Sequence, residues 1–496
     1  MMIILQKHYK VFFIPIKSIM IKLKNIKNQK INEIKLTEIL FYTFPLSFLI
    51  GNLLLSLHLL LFIIVSLLLI KKEHLPIRFN NSYWILISFF LYFFLSTTIQ
   101  FQSPGLLNEK IQNWSLESQP IFKSFFLFRF IILIFIVDTL FLNKILNLQR
   151  LFLFSLLCTS FVSFDIILQY ITGSDLFGLK SYGTHNSGPF GNELIAGGYM
   201  QKFSFFSFFY IFKNFKDKNS NTLLSIFIIV FHLTAAVLAG NRMPMILFLF
   251  GCFLIILFVK NFRFVMSLSL LIFLSIFFLL AKNDINLKNP YLSFIEQVNI
   301  FNLIEFSEDA NKEKSITVTD VNKKGEKTEW SEGIWKKNWR GIILLNYSGY
   351  NRIYRTSIAV WKEQPLFGFG LKSFRIKCWE VGVKNAHLQP ESGISIFACS
   401  NHPHNYYLEL LSEAGILGTF LMVIFFLILL KNSFYYLKKY NQKINSETIL
   451  LIPIIIVVFI EIWPLRSTGS FFTTSSATFF WLNAAILLAK EKQKPS

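Results

Sequence analysis

The sequence predicts an all-α, polytopic membrane protein with about twelve transmembrane helices. Its 496 residues are 53% hydrophobic and include 59 phenylalanines, a composition that soluble domains rarely have. The apolar residues fall in long blocks, and a helix needs roughly 20 such residues to cross a bilayer. The predicted spans lie near 39–53, 54–70, 84–99, 122–142, 151–171, 194–212, 223–240, 243–259, 264–281, 406–430, 448–464 and 471–489.

The distribution of basic residues supports this class and predicts the orientation. The net charge of +21 would also suit a nucleic-acid-binding protein. With a cytoplasmic N-terminus, however, the predicted cytoplasmic segments hold 25 Lys and Arg, whereas the short segments on the other side hold four. Such an excess is the positive-inside pattern of membrane proteins. The charge therefore predicts membrane orientation and contact with anionic headgroups rather than nucleic-acid binding.

The spans divide the chain into five regions. The weakest boundary lies within residues 39–70, which permit either one long tilted helix or a hairpin around Gly51-Asn52. Two spans keep the later charge pattern in register, so we expect a hairpin. The predicted regions are a basic cytoplasmic or interfacial N-terminus (1–38), helices 1–9 (39–281), a large periplasmic loop (282–405), helices 10–12 (406–489) and a cytoplasmic tail (490–496).

The long loop is the region most expected to carry function, because loops of this length are rarely passive connectors. Residues 305–340 are highly charged and poor in apolar residues, so we expect them to be mobile. A helix follows, with Ser348 or Asn351 as its cap and an end before Pro365. A noncytoplasmic loop permits a disulfide between Cys378 and Cys399, and equally permits two free thiols.

Four arginines on the predicted outer side are candidates for binding an anion, two at the ends of spans (Arg242 and Arg466) and two on a helix of the long loop (Arg352 and Arg355). The planar guanidinium donates two aligned hydrogen bonds to a phosphate group, which suits it to a diphosphate. Each has an ordinary alternative. A terminal arginine can snorkel to the membrane interface, and two arginines three residues apart can form a solvated helix face. The candidates are Arg242, Arg352, Arg355 and Arg466.

Two histidines stand at the start of the tenth predicted span, in "SNHPHNYYLELLSEAGILG" (400–418). Pro403 favours an extended start, with Asn405 as the cap of the following helix. One imidazole can serve as a general base because its pKa lies near neutral. The alternatives are a structural cap and a metal site. A metal site is disfavoured because zinc needs three or four protein ligands and no HExxH or CxxC pattern occurs.

Four stretches in order resemble the O-antigen ligase and O-antigen polymerase superfamily. The histidine stretch resembles the hallmark of that superfamily. "SGPFGNELIAGGYM" (187–200) resembles its Gly-Xaa-Phe-Gly-Asn segment, although Gly191-Asn192-Glu193 stands where Asn-Pro-Asn is frequent. "AGNRMPMI" (239–246) resembles its Ser-Arg-Gly helix start, with the glycine replaced. "NRIYRTSIAVWKEQPLFGFGLKSF" (351–374) resembles its arginine-containing helix and Pro-Xaa-Xaa-Gly-Xaa-Gly turn.

The resemblance implies a membrane glycosyltransferase with a GT-C-like architecture in the bacterial inner membrane. Such enzymes move a glycan from undecaprenyl diphosphate at the periplasmic face, without a metal or another cofactor. Ligases transfer it to lipid A–core, and polymerases to another carrier-linked repeat. By resemblance, His404 is the catalytic residue with His402 as second choice, and Arg242 and Arg352 bind the diphosphate. Arg355 and Arg466 are further candidates for the diphosphate. Supporting residues are Asn405, Glu413 and Asn192.

Three functions compete on this sequence. A ligase is favoured because the His-Pro-His-Asn motif is complete, and a polymerase is the enzyme alternative. A lipid-linked glycan transporter is the alternative from another class, and it predicts ionisable residues along a path through the membrane. Arg129 and Lys202 lie within spans, and Glu461 lies near the end of one, but most polar residues gather at outer helix ends. An enzyme at the outer face therefore fits better.

Overall fold

The chain folds into a bundle of apolar helices, seen in a computed structural model. Three parts of the predicted organisation lie outside the described residues: residues 1–32 of the N-terminal region, residues 492–496 of the tail, and most of the long loop. The structure describes residues 33–77, 79, 81–103, 107, 109, 119–181, 183–214, 218–284, 287–289, 291, 316–321, 327–332, 349–384, 399–442, 449–467 and 469–491.

A helix stands at each of the twelve predicted positions, so the helical prediction is confirmed. The helices are α1 (Glu33–Tyr42), α2 (Phe44–Ile50), α3 (Asn52–Lys72), α4 (Asn81–Gln102), α5 (Pro120–Phe126), α6 (Arg129–Leu142), α7 (Leu148–Thr172), α8 (Ala196–Asn214), α9 (Lys218–Leu238), α10 (Arg242–Phe258), α11 (Arg263–Asn283), α12 (Gly349–Glu363), α13 (Phe374–Lys384), α14 (Tyr406–Gln442), α15 (Ile452–Glu461) and α16 (Thr474–Glu491).

The described residues include seven helical segments long and apolar enough to cross a membrane. They contain α3, α4, α5 with α6, α7, α9, α11 and α14, and three further apolar helices (α10, α15 and α16) are shorter. The outward side of α3 shows why a bilayer is needed, because Leu53 is 79% exposed and Leu57 is 55% exposed. Large exposed apolar patches mark contact with a partner or a membrane. The protein is thus a multi-pass membrane protein, and a count of twelve spans stays a prediction.

The predicted hairpin near Gly51 is confirmed. Helix α2 ends at Ile50 and α3 begins at Asn52, with Gly51 between them at φ 130°. Helices α1 and α2 then pack against α3. A positive φ of this size is a conformation that glycine adopts readily and L-residues avoid. The glycine therefore sets the point at which the two helices separate.

One element departs from the all-α prediction. Within 305–340, the segments Ile316–Val321 (β1) and Lys327–Glu332 (β2) pair as an antiparallel ladder that joins Ile316 to Glu332 and Val321 to Lys327. The alternating sequence Ile-Thr-Val-Thr explains the strand, since β-branched residues favour extended backbone. The high charge of the segment obscured this pattern.

Helix α12 ends at Glu363, before Pro365 as predicted, and leads into a turn at residues 365–370, called here the glycine turn. Helix α13 follows, and α12 packs against both α13 and α14. Helix α14 also packs against α4, while α16 packs against α6. These contacts place α12 and α13 of the long loop against α14, which in turn packs against α4.

Candidate active site

The glycine turn packs into a break in α14. Gly415 has φ 63° and ψ −172° inside this helix, so the regular hydrogen-bond ladder is interrupted there. The turn supplies replacement partners: the Gly370 amide donates to the Glu413 carbonyl (2.8 Å), and the Ile416 amide donates to the Pro365 carbonyl (2.8 Å). Unsatisfied backbone groups are costly in an apolar surrounding. Loop and helix are therefore built as one unit at this point.

Helix α4 fixes the same unit from its other side. The Tyr92 hydroxyl donates to the carbonyl oxygens of Phe367 (2.9 Å) and Ala414 (2.8 Å). The Leu371 amide donates to the Thr97 hydroxyl (3.0 Å). Residues after the turn are thereby held in a defined position relative to the start of α14.

Asn405 joins the histidine segment, residues 399–405, to the start of α14 and to the C-terminal part of the chain. Its Oδ1 accepts from the amides of Tyr407 (3.0 Å) and Leu408 (3.2 Å), so its predicted role as a helix cap is confirmed. Its Nδ2 donates to the carbonyls of Pro464 (2.7 Å) and Arg466 (3.3 Å). The cap thus also anchors the connection between α15 and α16.

His402 and His404 lie side by side, with ring centroids 4.2 Å apart. His404 has φ 57°, a left-handed conformation in which His is enriched among L-residues. Its Nε2 lies 3.1 Å from the Ser400 hydroxyl. Both residues are partly exposed, although Nε2 of His402 is itself buried. This placement is compatible with a general base, and it does not decide which of the two histidines has that role.

The two acids of α14 are buried and serve as anchors. The Glu409 carboxylate accepts from the Ser470 hydroxyl (2.5 Å) and the Phe471 amide (2.7 Å). The Glu413 carboxylate accepts from the backbone amides of Lys372 and Phe374 at the start of α13. Glu413 was predicted as a supporting residue, whereas Glu409 was not singled out. Their common signal is a spacing of four residues, which places both on one helix face.

Helix α13 holds the histidine segment from outside the bundle. Arg375 Nη2 donates to the Asn401 carbonyl (3.3 Å). Cys378 and Cys399 form a disulfide with their Cα atoms 5.2 Å apart. The segment that carries the histidines is therefore fixed at both ends, by this disulfide at its start and by Asn405 at its end.

Arg242 lies at the first turn of α10 with its side chain exposed. His185 of the 172–193 loop is close enough that its pKa is lowered, first by burial and then by the Arg242 charge. Among the described residues no acid forms an ion pair with Arg242, and no contact joins it to the histidine segment. Arg242 therefore remains open to an anion, but the structure does not place it beside His404.

Two further predicted arginines lie on α12. Arg352 belongs to this helix, but its side chain is outside the described residues. Arg355 is exposed. The helix itself is fixed to α14, because the Ser357 hydroxyl donates to the Leu408 carbonyl (3.1 Å). Both arginines are thus carried by a helix that packs against the helix of the histidine motif.

Arg466, which was predicted as a diphosphate ligand, is buried in this structure. Its side chain is only 4% exposed and forms an ion pair with Glu461 (2.7 Å). Its guanidinium also lies over the Tyr406 ring, 5.0 Å from the centroid. A buried, paired guanidinium is held by its carboxylate partner rather than offered to a ligand. In this conformation the residue supports the fold.

Asn192 is exposed in the turn after the short 3-10 helix Gly188–Phe190. A different asparagine makes the well-defined contacts in this region. Asn241 Nδ2 donates to the Leu194 carbonyl (3.0 Å), and its Oδ1 accepts from the Gly197 amide (3.0 Å). Asn241, which stands where the family has Ser, thus tethers the start of α10 to the start of α8.

Sequence reasoning missed a group of basic residues beside this site. Lys372 and Arg375 follow the glycine turn directly, and Lys123 of α5 lies close to Lys372. The sequence signal that could have revealed this group was the presence of two basic residues within five positions after the turn.

Across the described ranges, no group of three His, Cys, Asp or Glu side chains is arranged to hold a metal ion.

The region that forms this site matches a known protein family. Residues 227–423 match the family model described as O-antigen ligase. The match runs from α9 into α14, so it contains Arg242, the glycine turn and the histidine segment. It confirms the resemblance found from the sequence. A comparison with curated proteins gave no match.

Proposed function

We propose that this chain, an O-antigen ligase-like membrane protein, transfers a glycan from undecaprenyl diphosphate to lipid A–core at the periplasmic face of the inner membrane. The observation that carries the proposal is the histidine segment. It lies within the family match and is fixed by Asn405 and by the Cys378–Cys399 disulfide. A base held this firmly at the end of a membrane helix suits a reaction between two membrane-anchored substrates.

In the proposed reaction, His404 accepts the proton of the acceptor hydroxyl. The acceptor oxygen forms a bond to the anomeric carbon while the bond from that carbon to the diphosphate oxygen breaks. The lipid diphosphate leaves with the bonding electron pair. Attack from the side opposite the leaving group inverts the anomeric centre. His402, 4.2 Å away between ring centroids, is the second candidate for the base.

Arg242 and Arg352 are proposed to bind the diphosphate, with Arg355 as a further candidate. Guanidinium groups stabilise the charge that develops on a leaving diphosphate, and a partly dry site strengthens this effect. The open, exposed side chain of Arg242 supports this role. The loop 282–405 is proposed to close over the donor and admit the acceptor, in a GT-C-like architecture.

Transfer with purified protein in liposomes tests the proposal. The donor is a diphosphate-linked glycan on the outer face, and the acceptor is either lipid A–core or a second lipid-linked repeat. We expect product on lipid A–core, unchanged by a chelator and lost in His404→Ala and in Arg352→Ala. Product only on the lipid-linked repeat would identify a polymerase. Full transfer by both variants would refute the assignment of these residues.

A further inference from the structure

We propose that Lys123, Lys372 and Arg375 form a binding site for a phosphoryl-type dianion beside the histidine segment. The three side chains come from α5, from the residues after the glycine turn and from α13. Nothing in the proposed reaction above assigns them a role. The site deepens that proposal, because phosphoryl groups occur on its lipid substrates.

The two lysines meet in an arrangement that an anion would stabilise. The Lys123 side chain lies close enough to Lys372 to lower the pKa of Lys372. A charged ammonium group has three donors and no acceptor, so two such groups repel and cannot share a hydrogen bond. An anion that accepts from both lysines would remove this repulsion.

Two buried acids of α14 lie near this cluster: Glu413 acts on Lys372 and Arg375, and Glu409 acts on Arg375. None of the ion pairs in the described ranges involves Lys123, Lys372 or Arg375. The acids balance at most two of the three positive charges, so the cluster keeps an excess of positive charge. All three basic side chains are partly exposed, so an anion from outside can reach them.

The backbone holds Lys372 in an unusual conformation. Its φ is 63°, a left-handed conformation that residues other than Gly and Asn rarely adopt. The surrounding hydrogen bonds maintain it: Leu371 donates to Thr97 (3.0 Å), and the Ser373 hydroxyl donates to the Gly370 carbonyl (2.7 Å). Strain of this kind concentrates at functional sites.

Arg375 connects the cluster to the candidate base. Its Nη2 donates to the Asn401 carbonyl (3.3 Å), one residue before His402. Its Nε is buried and has no hydrogen-bond partner among the described residues. The guanidinium therefore retains donor capacity for a ligand, next to the segment that carries both histidines.

The charge state of the empty site favours an anion. Burial, followed by the neighbouring charges of Lys123 and Arg375, lowers the pKa of Lys372 to about 7, and Glu413 opposes this shift. A bound dianion stabilises the protonated lysine, so anion binding takes up a proton. Affinity is therefore expected to rise as the pH falls through the neutral range.

Sulfate binding by the purified full-length protein in neutral detergent tests the site, because the charge of sulfate does not change near neutral pH. We expect Lys372→Met and Lys123→Met each to weaken sulfate binding by about tenfold or more. Lys362→Met removes an exposed lysine of the same loop and is the matched control, with binding unchanged. Equal binding by Lys372→Met and Lys362→Met would overturn the proposal.

Two further measurements identify the chemistry and its source. Sulfate affinity should fall between about pH 6 and about pH 8.5, and the fall should be clearly smaller in Lys372→Arg, because arginine stays charged whereas Glu409 and Glu413 are unchanged. A pH-independent affinity in the unsubstituted protein would contradict the site. Inorganic phosphate, vesicles with an anionic phospholipid and vesicles with a lipid diphosphate then compete with sulfate, and the effective competitor distinguishes a free phosphate from a lipid headgroup.

The His404→Asn variant separates this proposal from the proposed glycan transfer. Its sulfate binding should match that of the unsubstituted protein, because the cluster does not include His404. If sulfate binds through Lys372 but no glycan is transferred under any condition, the site stands and the proposed function fails. If glycan is transferred and Lys372→Met leaves sulfate binding unchanged, the proposed function stands and this binding site fails.

Discussion

Gly368 of the glycine turn lies against Gly415 of α14, backbone to backbone. A Cβ added to Gly368 would lie 2.5 Å from the Gly415 amide nitrogen, and one added to Gly415 would lie 2.6 Å from the Gly368 amide nitrogen. Both residues have positive φ, 67° and 63°. The break in α14 and the turn that satisfies it therefore require glycine at both positions.

Gly368→Ala and Gly415→Ala should each lower the free energy of unfolding by at least about 2 kcal/mol, because the left-handed conformation alone costs about 1–2 kcal/mol. The close backbone contact adds to this. Thermal unfolding of the purified protein in detergent measures the effect. Gly382→Ala is the control, since a Cβ at this helical glycine meets nothing within 4 Å. A similar loss in all three variants would contradict the special role of the contact.

His404→Asn should abolish transfer and preserve the fold. Asparagine accepts the left-handed conformation that His404 adopts at φ 57°, but it cannot serve as a general base near neutral pH. The loss should be about 10²- to 10⁴-fold in rate, the usual contribution of a positioned base. Initial rates in liposomes and thermal unfolding measure the two effects.

His74→Asn is the matched control for this experiment. His74 is exposed in the short connection after α3 and also has positive φ, 46°. It should retain both stability and transfer. If His404→Asn kept full activity while His402→Asn lost it, the base would be His402.

Arg466→Met should lower stability by about 3 kcal/mol or more, because it leaves one partner of a buried ion pair behind. Glu461→Gln should be at least as destabilising. Lys202 also lies within electrostatic range of Glu461, so this change leaves two buried cations without their carboxylate. Thermal unfolding of the two variants tests the order.

Arg355→Met is the control variant for deciding whether Arg466 supports the fold or binds the diphosphate. The exposed Arg355 should change stability by no more than about 0.5 kcal/mol. If Arg466→Met unfolded like the unsubstituted protein and raised only the KM for the donor, then Arg466 would be a ligand as the sequence predicted. The buried ion pair would then be secondary.

The helices and one cap were predictable because they depend on local patterns. Apolar blocks predicted a helix at every span, Gly51 marked the hairpin, and Asn405 was identified as a cap. The paired state of Arg466 was not predictable. Its distance from Glu461 depends on how α15 ends, and burial depends on packing around both residues.

The contacts of the long loop show a second limit of sequence reasoning. Lys123 and Lys372 are far apart in the chain, and only the packing of the glycine turn against α4 and α14 brings them together. The resemblance to a family covered motifs within 187–418, and Lys123 lies outside all of them. A pattern read along the chain therefore could not join these residues.

Opening the Cys378–Cys399 disulfide should lower both stability and transfer. The bond joins residues that are 21 positions apart. For a loop of this length, the lost entropy of the unfolded chain stabilises the fold by about 3 kcal/mol. It also holds Cys399, the start of the histidine segment, against α13, so the base should be less well positioned without it. Cys378→Ser combined with Cys399→Ser tests this by thermal unfolding and by initial rates of transfer. A reducing agent should reproduce the effect in the unsubstituted protein and change nothing further in the double variant, since Cys158 and Cys252 are buried and free. Unchanged stability and transfer after confirmed reduction would show that Asn405 and Arg375 position the segment without the disulfide.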